Sequence, residues 1–168
     1  MRATSYRRPG FLHTRCRSSR KPMSSRRCPL VLVVDDCECV RVVFKMVLRE
    51  MAGIHAVVAA TSEEALKLAK RRNFDVVISD ICRPGMDGLE FLSRFKQLRP
   101  TVPVVIASGV LDDATARRAK RLRAFDCLPK PFAFCELVAV VRSAIQSKKA
   151  CRTVVLASRS RHSPLRSW

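Results

Sequence analysis

Five short apolar runs are separated by segments of helical periodicity, and this alternation restricts the fold more than any other feature of the chain. The runs are LVLVV (30–34), IHAVVAA (54–60), VVIS (76–79), VPVVIA (102–107) and FDCL (125–128). Runs this continuous leave no polar face for water, so they belong in a parallel sheet covered on both sides. Between them, residues 38–51, 63–71, 88–98, 112–122 and 134–145 read as helices. In the first, Val40, Val43, Phe44, Val47 and Leu48 recur three and four apart and predict one buried face. Gly53 ends that helix. Ser62 is expected to cap the second, with Glu63 and Glu64 at its positive end. Asp112 or Asp113 caps the fourth. RPGMDG (83–88) reads as a loop and PKP (129–131) as a turn. The expected fold class is α/β, a doubly wound five-stranded parallel sheet.

The 168 residues suffice for one domain with tails, and 48% hydrophobic content allows a real core. No apolar run approaches the roughly 18–20 residues of a membrane span, and the N-terminus lacks the apolar stretch of a signal peptide. The eight cysteines are irregularly spaced, with no CxxC pair, and read as reduced thiols of a cytoplasmic protein.

The formal charge of +19 is unevenly placed. All 14 acidic residues lie between Asp35 and Glu136, and the segments 1–28 and 148–168 are acid-free and rich in Ser and Arg. Segments of this composition bury too little apolar surface to fold. Residues 29–147 are therefore expected to form the domain, flanked by basic disordered tails at 1–28 and 148–168. The tails allow contact with nucleic acid. An incidental extension, with Met23 as the true start, and an organelle transit peptide are the alternatives.

Two adjacent carboxylates, Asp35 and Asp36, follow the first run, and Asp80 follows the third. Ser108 follows the fourth, and Lys130 lies just past the fifth. In a doubly wound sheet, ligands sit beyond the carboxyl ends of the strands, near the switch point in strand order. With strand order 2-1-3-4-5 all five residues converge there. Clustered carboxylates repel unless a cation joins them, and hard oxygen ligands suit Mg²⁺. Mg²⁺ in turn suits phosphoryl chemistry, in which a carboxylate can itself be the nucleophile.

The stretches VVDD (33–36), VVISDICRPGMDG (76–88), PVVIASG (103–109) and LPKPF (128–132) resemble the receiver domain of two-component response regulators, of the single-domain chemotaxis type. The resemblance spans about residues 29–146. It implies a flavodoxin-like (βα)5 fold of order 2-1-3-4-5 and a single-domain regulator in which Asp80 accepts a phosphoryl group. The donor would be a sensor histidine kinase or a histidine phosphotransfer protein. Asp36, Asp80 and the backbone carbonyl of Cys82 would hold Mg²⁺ directly, and Asp35 would act through water. Ser108 would be the switch hydroxyl, Lys130 the phosphoryl-binding lysine, and the Lys130–Pro131 bond cis. The output would pass to a downstream protein through the receiver's own surface, or the phosphate would be relayed onward.

This sequence departs from that pattern in places. Cys127 stands where an aromatic is common, Arg123-Ala124 where Gly-Ala is usual, and Arg83 where Met is common. The helical stretch DDATARRAKRLRA (112–124) carries Arg117, Arg118, Lys120, Arg121 and Arg123, which fits an acidic partner or a solvated basic face. The alternatives are a degenerate receiver that is not phosphorylated and a phosphatase or phosphotransferase working through an aspartyl-phosphate. Haloacid-dehalogenase-like phosphatases need DxD, and position 37 here is Cys.

Overall fold

The computed structural model describes residues 27–82 and 84–160, with 151–160 described by backbone alone. Five strands alternate with five helices: β1 (Leu30–Val34), α1 (Glu38–Ala52), β2 (His55–Ala59), α2 (Ser62–Arg71), β3 (Val76–Ser79), α3 (Gly88–Leu98), β4 (Val104–Ser108), α4 (Asp113–Arg121), β5 (Asp126–Pro129) and α5 (Phe134–Ser160). The strands form one parallel sheet in the order β2-β1-β3-β4-β5. The flavodoxin-like fold class and strand order are those expected.

Alternate residues of each strand enter opposite layers, as the two-residue repeat of a strand requires. Leu32, Val34, Val77 and Ile106 pack with Ala65, Ala69, Phe91, Phe95 and Ala119 of α2, α3 and α4. Val31, Val33, Ile78 and Val105 pack with Phe44 and Leu48 of α1 and with Leu137, Val141 and Ala144 of α5. Each large side chain so buried contributes roughly 1.5–3 kcal/mol.

Several local expectations shift. Thr61, not Ser62, caps α2: its hydroxyl accepts from the Glu64 amide at 3.2 Å, and the Glu64 carboxylate accepts from the Ala60 amide at 2.8 Å. Ser62 is buried and donates to the Met86 carbonyl at 3.4 Å. Asp112 is the cap of α4, accepting from the Thr115 amide at 2.7 Å. Gly53 closes α1 at φ 62°. On α1 the buried stripe is Phe44 and Leu48, while Val43 is 38% exposed. Val43 lies about 100° around the helix from Phe44, at the edge of a narrow face.

The expected boundary at residue 147 falls inside α5, which continues to Ser160. Lys148 is buried; its ammonium donates to the Phe74 carbonyl and lies 3.5 Å from Asp75. It continues the stripe Leu137, Val141, Ala144 because a lysine stem packs like an apolar residue while its head finds a partner. Arg27 also reaches Asp75, at 3.2 Å. The remainder of both basic segments, 1–26 and 161–168, and Arg83 lie outside the described residues. No described helix is long and apolar enough to cross a membrane.

Candidate functional site

Strand register builds the site. Val34 of β1 pairs with Ser79 of β3, so Asp35 and Asp80 emerge side by side. Ser108 of β4 pairs with Pro129 of β5, and the Lys130 amide donates to the Ser108 carbonyl at 2.8 Å. The lysine is thereby set beside the two carboxylates. Its ammonium lies 3.0 Å from Asp35 Oδ2 and 3.0 Å from Asp80 Oδ2. The Asp35 side chain is only 3% exposed, that of Asp80 13% and that of Lys130 26%. The Lys130–Pro131 bond is cis.

The remaining oxygens are held by backbone. Asp35 Oδ1 accepts from the Cys37 amide at 3.0 Å, and Asp80 Oδ1 accepts from the amides of Ile81 at 2.6 Å and Cys82 at 3.2 Å. Burial by itself would raise the Asp80 carboxyl. The Ser108 hydroxyl, the Lys130 ammonium and the Cys82 amide outweigh it and hold Asp80 below the usual carboxylate value, so it is an anion at neutral pH. Burial likewise opposes the charge on Lys130, but Asp35 and Asp80 hold its ammonium above the usual lysine value.

Two residues not singled out from the sequence shape this site. Arg41, one turn into α1, donates to the carbonyls of Asp35 at 2.8 Å and Asp36 at 2.7 Å. It fixes the backbone of the acidic pair, and its signal in the sequence is an Arg on the inner flank of the helix that follows. Gly88 opens α3 against the Asp80 peptide. A Cβ there would lie 2.5 Å from the Asp80 carbonyl oxygen and 2.5 Å from Ile81 Cα. A glycine directly after the Asp87 cap is its signal.

The structure thus gathers Asp35, Asp80, Ser108 and Lys130. The Asp36 side chain is exposed beside them, as is Cys82. Among the described residues no three acidic, His or Cys side chains form a ready-made metal cluster. Lys130, and not a third carboxylate, sits between Asp35 and Asp80. The donors still fit Mg²⁺: they are hard oxygens, and although Asp80 Oδ1 already accepts from two amides, the two Asp35 oxygens accept one hydrogen bond each and retain acceptor capacity. Mg²⁺ takes one or two carboxylates and keeps several waters, so it needs no full protein cage.

Comparison with known proteins agrees with this geometry. Residues 31–142 match the family model described as the response regulator receiver domain. The chain is 40% identical over 116 residues to the DNA-binding transcriptional regulator NtrC of Escherichia coli K12, covering 69% of this chain and 24% of that protein. It therefore spans about a quarter of the length of the curated relatives it matches. A response regulator receiver domain protein from Clostridium thermocellum superimposes with a TM-score of 0.69 at 30% identity, covering 73% of this chain and 98% of that one. NtrX from Brucella abortus gives 0.71 at 32% identity, over 76% of this chain and 29% of that one. With the strand order, the two carboxylates bridged by a lysine and the matched 31–142 segment in agreement, the chain belongs to the response regulator receiver domain family.

Proposed function

We propose that this chain is a phosphorylation-controlled signalling module of the cytoplasm and not a turnover enzyme. Asp80 accepts the phosphoryl group from a phosphohistidine of a sensor histidine kinase or histidine phosphotransfer protein. The carrying observation is the state of the Asp80 carboxylate: a partly buried anion held between the Lys130 ammonium and the Ser108 hydroxyl. Amides of residues 81 and 82 orient Oδ1. One Asp80 oxygen attacks phosphorus as the nitrogen–phosphorus bond breaks, and the imidazole leaves with the electron pair. Lys130 is placed to neutralise the phosphoryl oxygens and Ser108 to donate to one of them. Asp36, Asp80 and the Cys82 carbonyl would hold Mg²⁺, with Asp35 acting through water. The ion supplies charge neutralisation of the transferring group.

An apolar groove beside Lys130 supports a protein donor. It lies between α1 and the segment after β5, lined by Val40, Val43, Phe44, Pro131, Phe132 and Phe134. Val43 and Phe134 remain 38% and 47% exposed, as a face awaiting an amphipathic helix would be. The output then passes through the receiver's own surface to a protein target, or the phosphate moves onward. Acetyl phosphate with Mg²⁺ should add one phosphate, read by intact mass and peptide mapping, and EDTA should prevent it. Asp80→Asn should abolish labelling. Undiminished labelling of that variant would refute the site, and no labelling of wild type would make the chain a receiver that works unphosphorylated.

A further inference from the structure

All five helices run down from the Asp80 pole, so their C-terminal turns collect where the strands start. Of the 14 acidic residues only Glu50, Asp75 and Asp126 belong to that strand-start pole. Two clefts open there and meet at Thr101 and Lys148. One, of about 450 Å³, is lined by Arg27, Arg99 and Lys148; the other, of about 370 Å³, by Lys96, Arg123 and Lys148.

Cations at helix C-termini complement the backbone carbonyls, and that accounts for part of this crowd. At Arg123, just past the end of α4, a cost stands against that benefit. This residue follows α4 at φ 64°, with its amide bonded to the Lys120 carbonyl and the Ala124 amide to the Ala119 carbonyl. That closure favours glycine, and a side chain in left-handed backbone costs about 1 kcal/mol. The guanidinium so placed also repels its neighbour. Lys96 is half-buried, donates to the Val102 carbonyl at 2.7 Å and is lowered below the usual lysine value, first by burial and then by the charge of Arg123. Neither residue forms an ion pair among the described residues. The fold therefore carries both backbone strain and charge repulsion to hold two cations at one cleft, and an anion between them relieves the second.

The choice of anion follows from what joins the pole. The sequence before Arg27, residues 1–26, is acid-free and rich in arginine, and so is 149–168, in which α5 runs on to Ser160. With so long an acid-free sequence on either side of the domain, the charge of the chain suits a long polyanion better than a small phosphate compound. We propose that this strand-start pole binds the phosphate backbone of a nucleic acid, through charge and without reading base sequence.

The test uses the full chain and a fluorescein-labelled DNA duplex of arbitrary sequence, with anisotropy followed across salt concentration. Wild type should bind and weaken steeply with salt. Release of about 0.9 counterion per phosphate contact makes each contact worth about eightfold at 0.1 M salt. Arg123→Gly should lose about that factor while melting at or above the wild-type temperature, since it relieves strain. Adding Lys96→Gln should bring the loss to about sixtyfold and flatten the logarithmic salt slope by about 1.8. The charge-matched Lys45→Gln/Lys67→Gln, on the middle turns of α1 and α2, should stay within about twofold. The proposal is overturned if Arg123→Gly binds like wild type with an unaltered slope, which would leave binding to the terminal segments alone. Equal weakening in the control would reduce the effect to net charge. Tighter binding to phosphatidylglycerol vesicles than to DNA at equal salt would assign the pole to a membrane surface instead.

Discussion

Gly88→Ala is the sharpest probe of how the scaffold holds Asp80. The added methyl would sit 2.5 Å from the Asp80 carbonyl oxygen and from Ile81 Cα, against an ordinary contact of 3.4 Å or more. The missing 0.9 Å cannot come from a rotamer change, because both neighbours are backbone. Either α3 moves off the sheet, drawing on the buried Leu89, Phe91 and Leu92, or the Asp80 peptide moves. Overpacking of this kind costs about 1–3 kcal/mol, and rigid backbone neighbours put it at the upper end. For a domain of this size about 3 kcal/mol lowers Tm by about 10 °C. A displaced Asp80 should also label more slowly, since a small misplacement of a reacting group costs rate steeply. Two nearby glycines serve as controls. Gly85 has φ 86° with open space around it, so Gly85→Ala should cost about 1 kcal/mol through backbone alone. Gly109 has open space and no positive φ, so Gly109→Ala should melt like wild type. Thermal melts and the acetyl phosphate labelling rate on all three decide the matter. If Gly88→Ala melts within about 2 °C of wild type and labels at the same rate, close packing by Gly88 does not position Asp80.

Lys130→Met should destabilise by about 2 kcal/mol at neutral pH, below the cost of breaking a fully buried pair because the ammonium is 26% exposed. Asp80 has a depressed folded pKa, so its share is present above the ordinary carboxylate value of 3.8 and lost as pH falls through the lower folded value. Lys130 is raised, so its share holds below 10.5 and is lost as pH rises through the higher folded value. Urea melts of wild type and variant should therefore converge at both extremes; a constant gap from acid to alkali would show that the pair contributes nothing. Ser108→Ala should still accept phosphate at Asp80 but mute the response of residues 109–123 to beryllofluoride in hydrogen exchange. An undiminished response would free the hydroxyl of any switching role. Lys148→Ala leaves the Phe74 carbonyl without its buried donor and should cost about 2 kcal/mol in denaturant melts. An unchanged midpoint would return the α5 extension to the status of an appendage.

Fold class and most of the site were legible in the sequence because each rests on local signals. Unbroken apolar runs such as Val31–Val34 and Val76–Ile78 have nowhere to go but the middle of a covered sheet. In a parallel sheet the residue after each run is delivered to one edge, so Asp35, Asp80 and Ser108 could be grouped before any distance was known. What escaped was decided by nonlocal packing. Thr61 rather than Ser62 caps α2 because Ser62 is drawn inward by Met86, 24 residues away. Lys130 was placed at the same edge by the sequence, but not its pairing: the ammonium lies 3.0 Å from both Asp35 and Asp80 and relieves the repulsion that was expected to call for a metal ion. Composition marked residues from 148 onward as a tail, yet Lys148 is core, since a lysine's place depends on whether a carbonyl and a carboxylate wait at the end of its stem. Those partners, Phe74 and Asp75, lie more than seventy residues earlier in the chain, and only the folded sheet brings them to it.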